Sequence, residues 1–141
     1  MPHREPHGGK IASRDQFLTR RRRLGLSEIG DAAQRLAAVA LAHPAVRRAA
    51  TVAAYVSVGS EPGTGVLLDA LRSSGRRVIL PLLQPDDDLD WALDSGDLVR
   101  ARRGLLEPTG PPLGADAIAG ADLVLVPGLA VSPRGDRLGR G

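Results

Sequence analysis

The chain has 141 residues, 43% hydrophobic and 25% charged, with a formal net charge of +3; this is one globular domain's worth of sequence, too short for two domains of ordinary size and too apolar to stay disordered. It holds no cysteine and one each of Phe, Tyr and Trp, which excludes disulfides and thiolate metal sites and argues against a single-stranded nucleic-acid binder, whose bases stack on several aromatic rings. No apolar run approaches a membrane span and the start, "MPHREPHGGK", has no signal-like apolar stretch, so the cytoplasm is the simplest location.

Residues 1–9 read as a disordered leader, and His3 and His7 have only the distant His43 to join them, too few to close a metal site. From Lys10 to about Arg23, the placing of Ile11, Phe17 and Leu18 among polar residues predicts a helix. Lys10, the only lysine, then lies one turn from Arg14 on the same face, where both could reach one anion. The run Arg20–Arg23 spreads around that helix and reads as a solvated face. Ser27 is the expected N-cap of a second helix, which reaches about Ala42 and is closed by His43–Pro44.

The apolar, β-branched run "AATVAAYVSV" at 49–58 predicts a buried strand, followed by the loop "GSEPGTG". Thr64 is expected to cap a helix that stops at Gly75, and "RRVILPLL" is a second buried strand, giving a parallel βαβ unit. Residues 84–112 are turn-rich, with "DLDWALD" as an edge strand and "RRGLLEPTGPP" as an extended loop. Asp86, Asp87 and Asp88 read as a turn, because three adjacent carboxylates cannot all converge on one ion. "DAIAGADLVLVPG" gives a turn of helix and a third buried strand, Leu123 to Val126. The fold class is α/β, a mostly parallel sheet flanked by helices.

Ligands of open α/β sheets sit beyond the carboxyl ends of the strands. Three loops leave such ends here: "GSEPGT", "PLLQPDDD" and "PGLAVSPRGDRLGRG". Glu61 in the first offers acceptor oxygens to the N–H groups of a heterocycle. In the third, Gly135, Gly139 and Gly141 would let backbone N–H groups approach a ligand, while Arg137 and Arg140 neutralise phosphate charge. The Gly-Lys-Ser/Thr ending of a Walker loop is absent.

In this order and spacing, "KIASR", "AYVSVGSEPGT", "VILPLL", "GLLEP" and "DLVLVPGLAVSPRGDRLGRG" resemble the 5-formyltetrahydrofolate cyclo-ligase (methenyltetrahydrofolate synthetase) family over residues 10–141. The most specific match is to the family pattern R-L-G-x-G-x-G-Y-Y-D, of which "RLGRG" at 137–141 supplies the first half. The expected domain, 10–141, is therefore truncated within its glycine-rich ATP loop. The resemblance implies an α/β fold related to the sugar-phosphate isomerase and CoA-transferase-like folds. It also implies an ATP- and magnesium-dependent cyclisation of 5-formyltetrahydrofolate to 5,10-methenyltetrahydrofolate, with release of ADP and phosphate.

By matching position, the resemblance makes Lys10, Ile11, Ala12, Ser13 and Arg14 contacts of ATP, with Arg14 also facing the folate. Val56 and Glu61 would line the pterin site, Glu61 hydrogen-bonding the ring. Arg137, Leu138, Gly139, Arg140 and Gly141 would cradle the triphosphate, with Arg140, the expected catalytic residue, and Gly141 beside the reacting formyl group. Tyr55, Pro81 and Glu107 fit family positions and are assigned to packing and loop shape. The implied partners are ATP and 5-formyltetrahydrofolate, with or without a polyglutamate tail; neither a membrane nor nucleic acid is expected. Without the Tyr-Tyr-Asp half of the motif and its magnesium ligand, residues 1–141 alone are expected to be poorly stable and to show little or no cyclo-ligase activity. Two other readings stand beside this one: a non-catalytic remnant that still holds nucleotide or folate, and a basic nucleic-acid-binding module resting on the net charge and "RRRR" at 20–23.

Overall fold

A computed structural model describes residues 7–139. The chain forms α1 (His7–Arg22), α2 (Leu26–Ala42), α3 (Pro44–Arg48), β1 (Thr51–Ala53), α4 (Gly65–Ser73), β2 (Arg77–Leu83), β3 (Leu89–Leu93), β4 (Leu98–Arg100), β5 (Leu106–Pro108), β6 (Leu123–Val124), β7 (Ala130–Val131) and β8 (Arg137–Leu138). The main sheet has the order β3-β2-β1-β6, and β4-β5 and β7-β8 are separate two-stranded ribbons. β1 is parallel to β2 and β6, and β3 is antiparallel to β2.

Strand alternation divides the core between two faces. Val52, Val78 and Leu80 pack with Leu67, Leu68 and Leu71 of α4 and Ala37 of α2. Ala53, Ile79 and Trp91 point the other way, against Ala117 and Ala121. The two faces are unequally covered. Helices α2 and α4 lie on the first, whereas among the described residues the second meets the 3-10 turn Ala115–Gly120 and the adjoining Ala121. Full burial of a side chain such as Leu71, 0% exposed, stabilises the fold by about 1.5–3 kcal/mol.

The parallel βαβ unit and the edge strand β3 form as expected, and several details differ from the sequence reading. Residues 7–9 belong to α1 rather than to a leader, while residues 1–6 lie outside the described residues. Gly25, not Ser27, holds the N-cap position of α2, and Ser27 sits in its first turn. The expected ten-residue strand pairs over only Thr51–Ala53, because the chain beyond it runs off the sheet into a hydrogen-bonded loop. Thr64 does precede α4, but its hydroxyl makes no cap bond and turns back to that loop. The third strand pairs over Leu123–Val124 and is an edge, with Val124 42% and Val126 54% exposed rather than buried. "RRGLLEP" is not all loop, since β5 pairs with β4.

Because β2 and β6 lie on opposite sides of β1, the chain reverses its direction across the sheet there. Loops leaving β1 and β6 diverge at that point and leave a crevice at the carboxyl ends. Asp122 fixes the register at the other end: its Oδ2 accepts the N–H groups of Ala50 and Thr51, both at 2.9 Å. Those two bonds hold the Asp122 carboxyl below the usual carboxylate range.

Candidate functional site

The loop after β1 is shaped by its own polar side chains. Thr64, 4% exposed, accepts the Ser57 N–H at 2.9 Å and donates its hydroxyl to the Tyr55 carbonyl at 3.0 Å. Ser57 Oγ accepts the Thr64 N–H in return. Within this frame the Val58 N–H donates to Glu61 Oε1 at 2.8 Å, and the Glu61 N–H donates to the Val58 carbonyl at 3.1 Å. The carboxylate is thereby aimed by its own turn. Oε2 accepts no hydrogen bond from a described residue, and no buried side-chain oxygen is left without a partner, so Oε2 is open to solvent or to a ligand.

Glu61 faces a cavity of about 230 Å³ whose other walls include Tyr55, Val56, Pro81, Leu89 and Glu107. Apolar walls with a few convergent polar groups are the usual design of a small-molecule site. Val56 and Glu61, predicted as a pair, therefore do line one cavity. Tyr55, Pro81 and Glu107, assigned to packing, line it as well. Glu107 Oε2 accepts the Leu83 N–H at 2.7 Å, which docks the β4–β5 ribbon onto the end of β2 and closes one wall. The signal was available in sequence: "GLLEP" places a carboxylate between apolar residues, a pattern that suits a half-buried acceptor.

A second cavity of about 70 Å³ adjoins the first and shares Glu61 and Pro127 with it; Arg21, Gly128, Leu129 and Arg137 complete it. Arg137 donates Nη1 to the Pro127 carbonyl at 2.5 Å, and Arg21 donates Nη2 to the Gly128 carbonyl at 3.0 Å. A Cβ at Gly128 would stand 3.1 Å from Arg137 Cγ, so a larger residue there would make the Arg137 side chain shift. Burial and the Glu61 charge push the Tyr55 hydroxyl above its ordinary pKa, while the Arg21 charge pulls it down. Tyr55, Glu61 and Arg21 are therefore one electrostatic neighbourhood.

The first helix and the last ribbon meet at this place. Arg14 donates Nε to the Gly139 carbonyl at 3.0 Å, across 125 positions of chain. Of the five residues Lys10–Arg14, Arg14 alone makes a side-chain hydrogen bond to another described element; Lys10, Ile11 and Ala12 are exposed and Ser13 is half-buried. The third strand-end loop is also more regular than expected. Residues 132–136 turn the β7–β8 hairpin, and the Gly135 N–H is spent on the Ser132 carbonyl at 2.9 Å, so it is not free for a ligand. Gly135 adopts φ +88°, which explains glycine there by chain reversal. Leu138 is a strand residue of β8 and Gly139 follows it. Arg140 and Gly141, including the expected catalytic residue, lie outside the described residues.

Arg21 was missed because the run Arg20–Arg23 reads as solvated. The missed clue is its spacing, seven residues from Arg14, which places the two within about 20° of each other around the helix axis. Among the described residues no cluster of three His, Asp or Glu side chains can hold a metal, and the Asp86–Asp88 turn is tied by Asp87 to Arg103 at 2.9 Å. A cage made of protein side chains alone is therefore absent among the described residues, and magnesium in ATP sites is held by one or two carboxylates together with the substrate phosphates. No helix of the described residues is long and apolar enough to cross a membrane.

The model of the 5-formyltetrahydrofolate cyclo-ligase family matches residues 7–141. A 5-formyltetrahydrofolate cyclo-ligase of Mycolicibacterium smegmatis is 50% identical over 97 residues, covering 64% of this chain and 50% of the relative. The chain thus spans about half the length of that curated relative. Among solved structures, the 5,10-methenyltetrahydrofolate synthetase of Aquifex aeolicus superposes with a TM-score of 0.78 at 22% identity, covering 94% of this chain and 67% of that one. A 5,10-methenyltetrahydrofolate synthetase from Mycoplasma pneumoniae gives a TM-score of 0.65 at 20% identity, with 92% and 70% covered. At these identities the two structures establish the fold.

Proposed function

Since the chain belongs to the 5-formyltetrahydrofolate cyclo-ligase family, we propose that it provides the folate cavity and the cationic side of the nucleotide site for ATP-dependent closure of 5-formyltetrahydrofolate to 5,10-methenyltetrahydrofolate. The observation that carries this reading is the sharing of Glu61 and Pro127 by two adjoining cavities, one apolar and one lined by Arg21 and Arg137. A flat heterocycle with N–H donors suits the first, and a phosphate group suits the second.

The chemistry needs these two to touch. A formamide oxygen is a poor leaving group, so it first attacks the γ-phosphorus, the bond to the bridging oxygen breaks, and ADP departs. N10 then attacks the activated formyl carbon, the C–O bond breaks, phosphate leaves with the former formyl oxygen, and the N10 proton passes to solvent. Such a transfer requires positioning and charge neutralisation rather than a protein nucleophile, in keeping with a chain that holds no cysteine.

In this reading Glu61 Oε2 accepts from the pterin N–H groups and Val56 packs against the ring. Arg14 and Lys10 face the nucleotide from α1, Arg137, Leu138 and Gly139 meet it from the hairpin, and Arg140 and Gly141, outside the described residues, are assigned to the formyl group by their match to the family pattern. ATP is a co-substrate. Magnesium would accompany it by family precedent; the described residues alone supply no cage for it, and no step above runs through it. The folate is taken with or without a polyglutamate tail, in the cytoplasm.

Calorimetry of the chain with 5-formyltetrahydrofolate and with ATP tests the two sites separately, and near-ultraviolet absorbance tests whether methenyltetrahydrofolate forms only when both are present. Binding of both ligands supports the proposal. Binding of neither overturns it, and a salt-sensitive nucleic-acid shift in their place would favour the basic-module reading.

A further inference from the structure

The Arg21 guanidinium lines the small cavity suited to a phosphate, where the nucleotide side and the folate side meet, and no step above says which phosphate it holds. Arg21 is half-buried on the same face of α1 as Lys10 and Arg14, in a row that the helix geometry keeps within about 40°. Its Nη2 is anchored on the Gly128 carbonyl, so one hydrogen bond fixes the fork while its remaining N–H groups stay unspent on any described partner. The small cavity it lines contains a second guanidinium, that of Arg137, itself anchored on the adjacent Pro127 carbonyl. Two arginines held by consecutive carbonyls of one loop thus converge on one small space. Glu61, the carboxylate of the apolar cavity, lines this space too.

We propose that Arg21 binds the transferring γ-phosphoryl group of ATP, holding it over the boundary between the nucleotide and the folate. The inference rests on the family reading and deepens it by naming the group that bridges the two sites. Cavity size and charge favour a phosphoryl group over the nucleoside, which would not fit in about 70 Å³. A guanidinium fixed in advance is suited to charge that moves between donor and acceptor oxygens, because it needs no reorganisation as the group passes. The opposed effects of Glu61 and Arg21 on the Tyr55 hydroxyl fit a cation placed at the mouth of the folate cavity.

The test compares a non-hydrolysable ATP analogue with ADP on the chain and on Arg21→Gln and Arg21→Lys. The chain should bind the analogue more tightly than ADP, and Arg21→Gln should abolish that preference, a change of about tenfold for one charge-assisted contact. Affinity for ADP and for 5-formyltetrahydrofolate should stay within about twofold. Arg21→Lys keeps the charge without the fork and should retain part of the preference. If Arg21 only ties down Gly128, Arg21→Gln lowers ADP and analogue binding together, and the inference fails. It fails alone if both ligands bind and the preference survives in Arg21→Gln. A chain that binds neither nucleotide nor folate overturns the family reading and this inference with it.

Discussion

The β1–α4–β2 unit and the α1–hairpin region hold the two sides of the site by different means. In the first, Val52, Leu71, Val78 and Leu80 are 0–1% exposed, and the loop that carries Glu61 is fastened to this core through the buried Thr64. In the second, Ile11 is 57% and Val131 68% exposed, and the attachments are guanidinium-to-carbonyl bonds from Arg14, Arg21 and Arg137. The side proposed for the folate is therefore fixed by packing, while the side proposed for the nucleotide is held by a few polar contacts that cost little to open. That difference suits a site in which one substrate is gripped by shape and the other by charge.

The largest expected effect breaks the packed side. Leu71→Ala should lower the unfolding free energy by about 2–5 kcal/mol, read by urea denaturation, whereas a change of equal size in the exposed Val131 should move it far less. Next, Thr64→Val removes both loop bonds and should cost about 1–3 kcal/mol. It should also weaken 5-formyltetrahydrofolate binding while ATP binding holds. Equal loss of both ligands would show that the two sides are not separately supported.

Acid probes the packed sheet at the end away from the cavities, where Asp122 ties β6 to the start of β1. The Asp122 carboxyl titrates lower in the folded chain than when unfolded, so its contribution is present above the ordinary value of about 3.9 and is lost as pH falls through the folded value. The stability gap between the chain and Asp122→Ala should accordingly be widest above about pH 4 and close in stronger acid. The smallest effect is spectroscopic. Tyr55 is the only tyrosine, so phenolate absorbance reports it without interference. Its pKa should lie above the ordinary value, fall in Glu61→Gln and rise further in Arg21→Gln; a titration indifferent to both variants would remove Arg21 from the cavity.

Sequence patterning showed the packed side well, because the continuous apolar run in "RRVILPLL" suits a short strand covered on both faces and the stripe in "GVLLDALRSSG" suits a helix laid on one of them. It also placed Val56 and Glu61 on one loop. Less was legible where side chains act on distant backbone. Nothing local shows that Thr64 bonds the Tyr55 carbonyl instead of capping α4, or that Glu107 reaches Leu83, since both partners are set by tertiary approach. Arg21 was hidden in a basic run whose residues differ only in direction around the helix. Gly135 was misread as a ligand-facing glycine because a hairpin turn and an anion loop ask for the same residue type.

The claim on which the account turns is that Arg14 and Glu61 serve adjoining halves of one site, and the binding of each ligand to Arg14→Gln and Glu61→Gln measures it directly. The account predicts a crossed pattern: Glu61→Gln weakens 5-formyltetrahydrofolate by about tenfold and spares ATP, and Arg14→Gln does the reverse. Unchanged affinities in both variants, or parallel loss of both ligands in each, would contradict it.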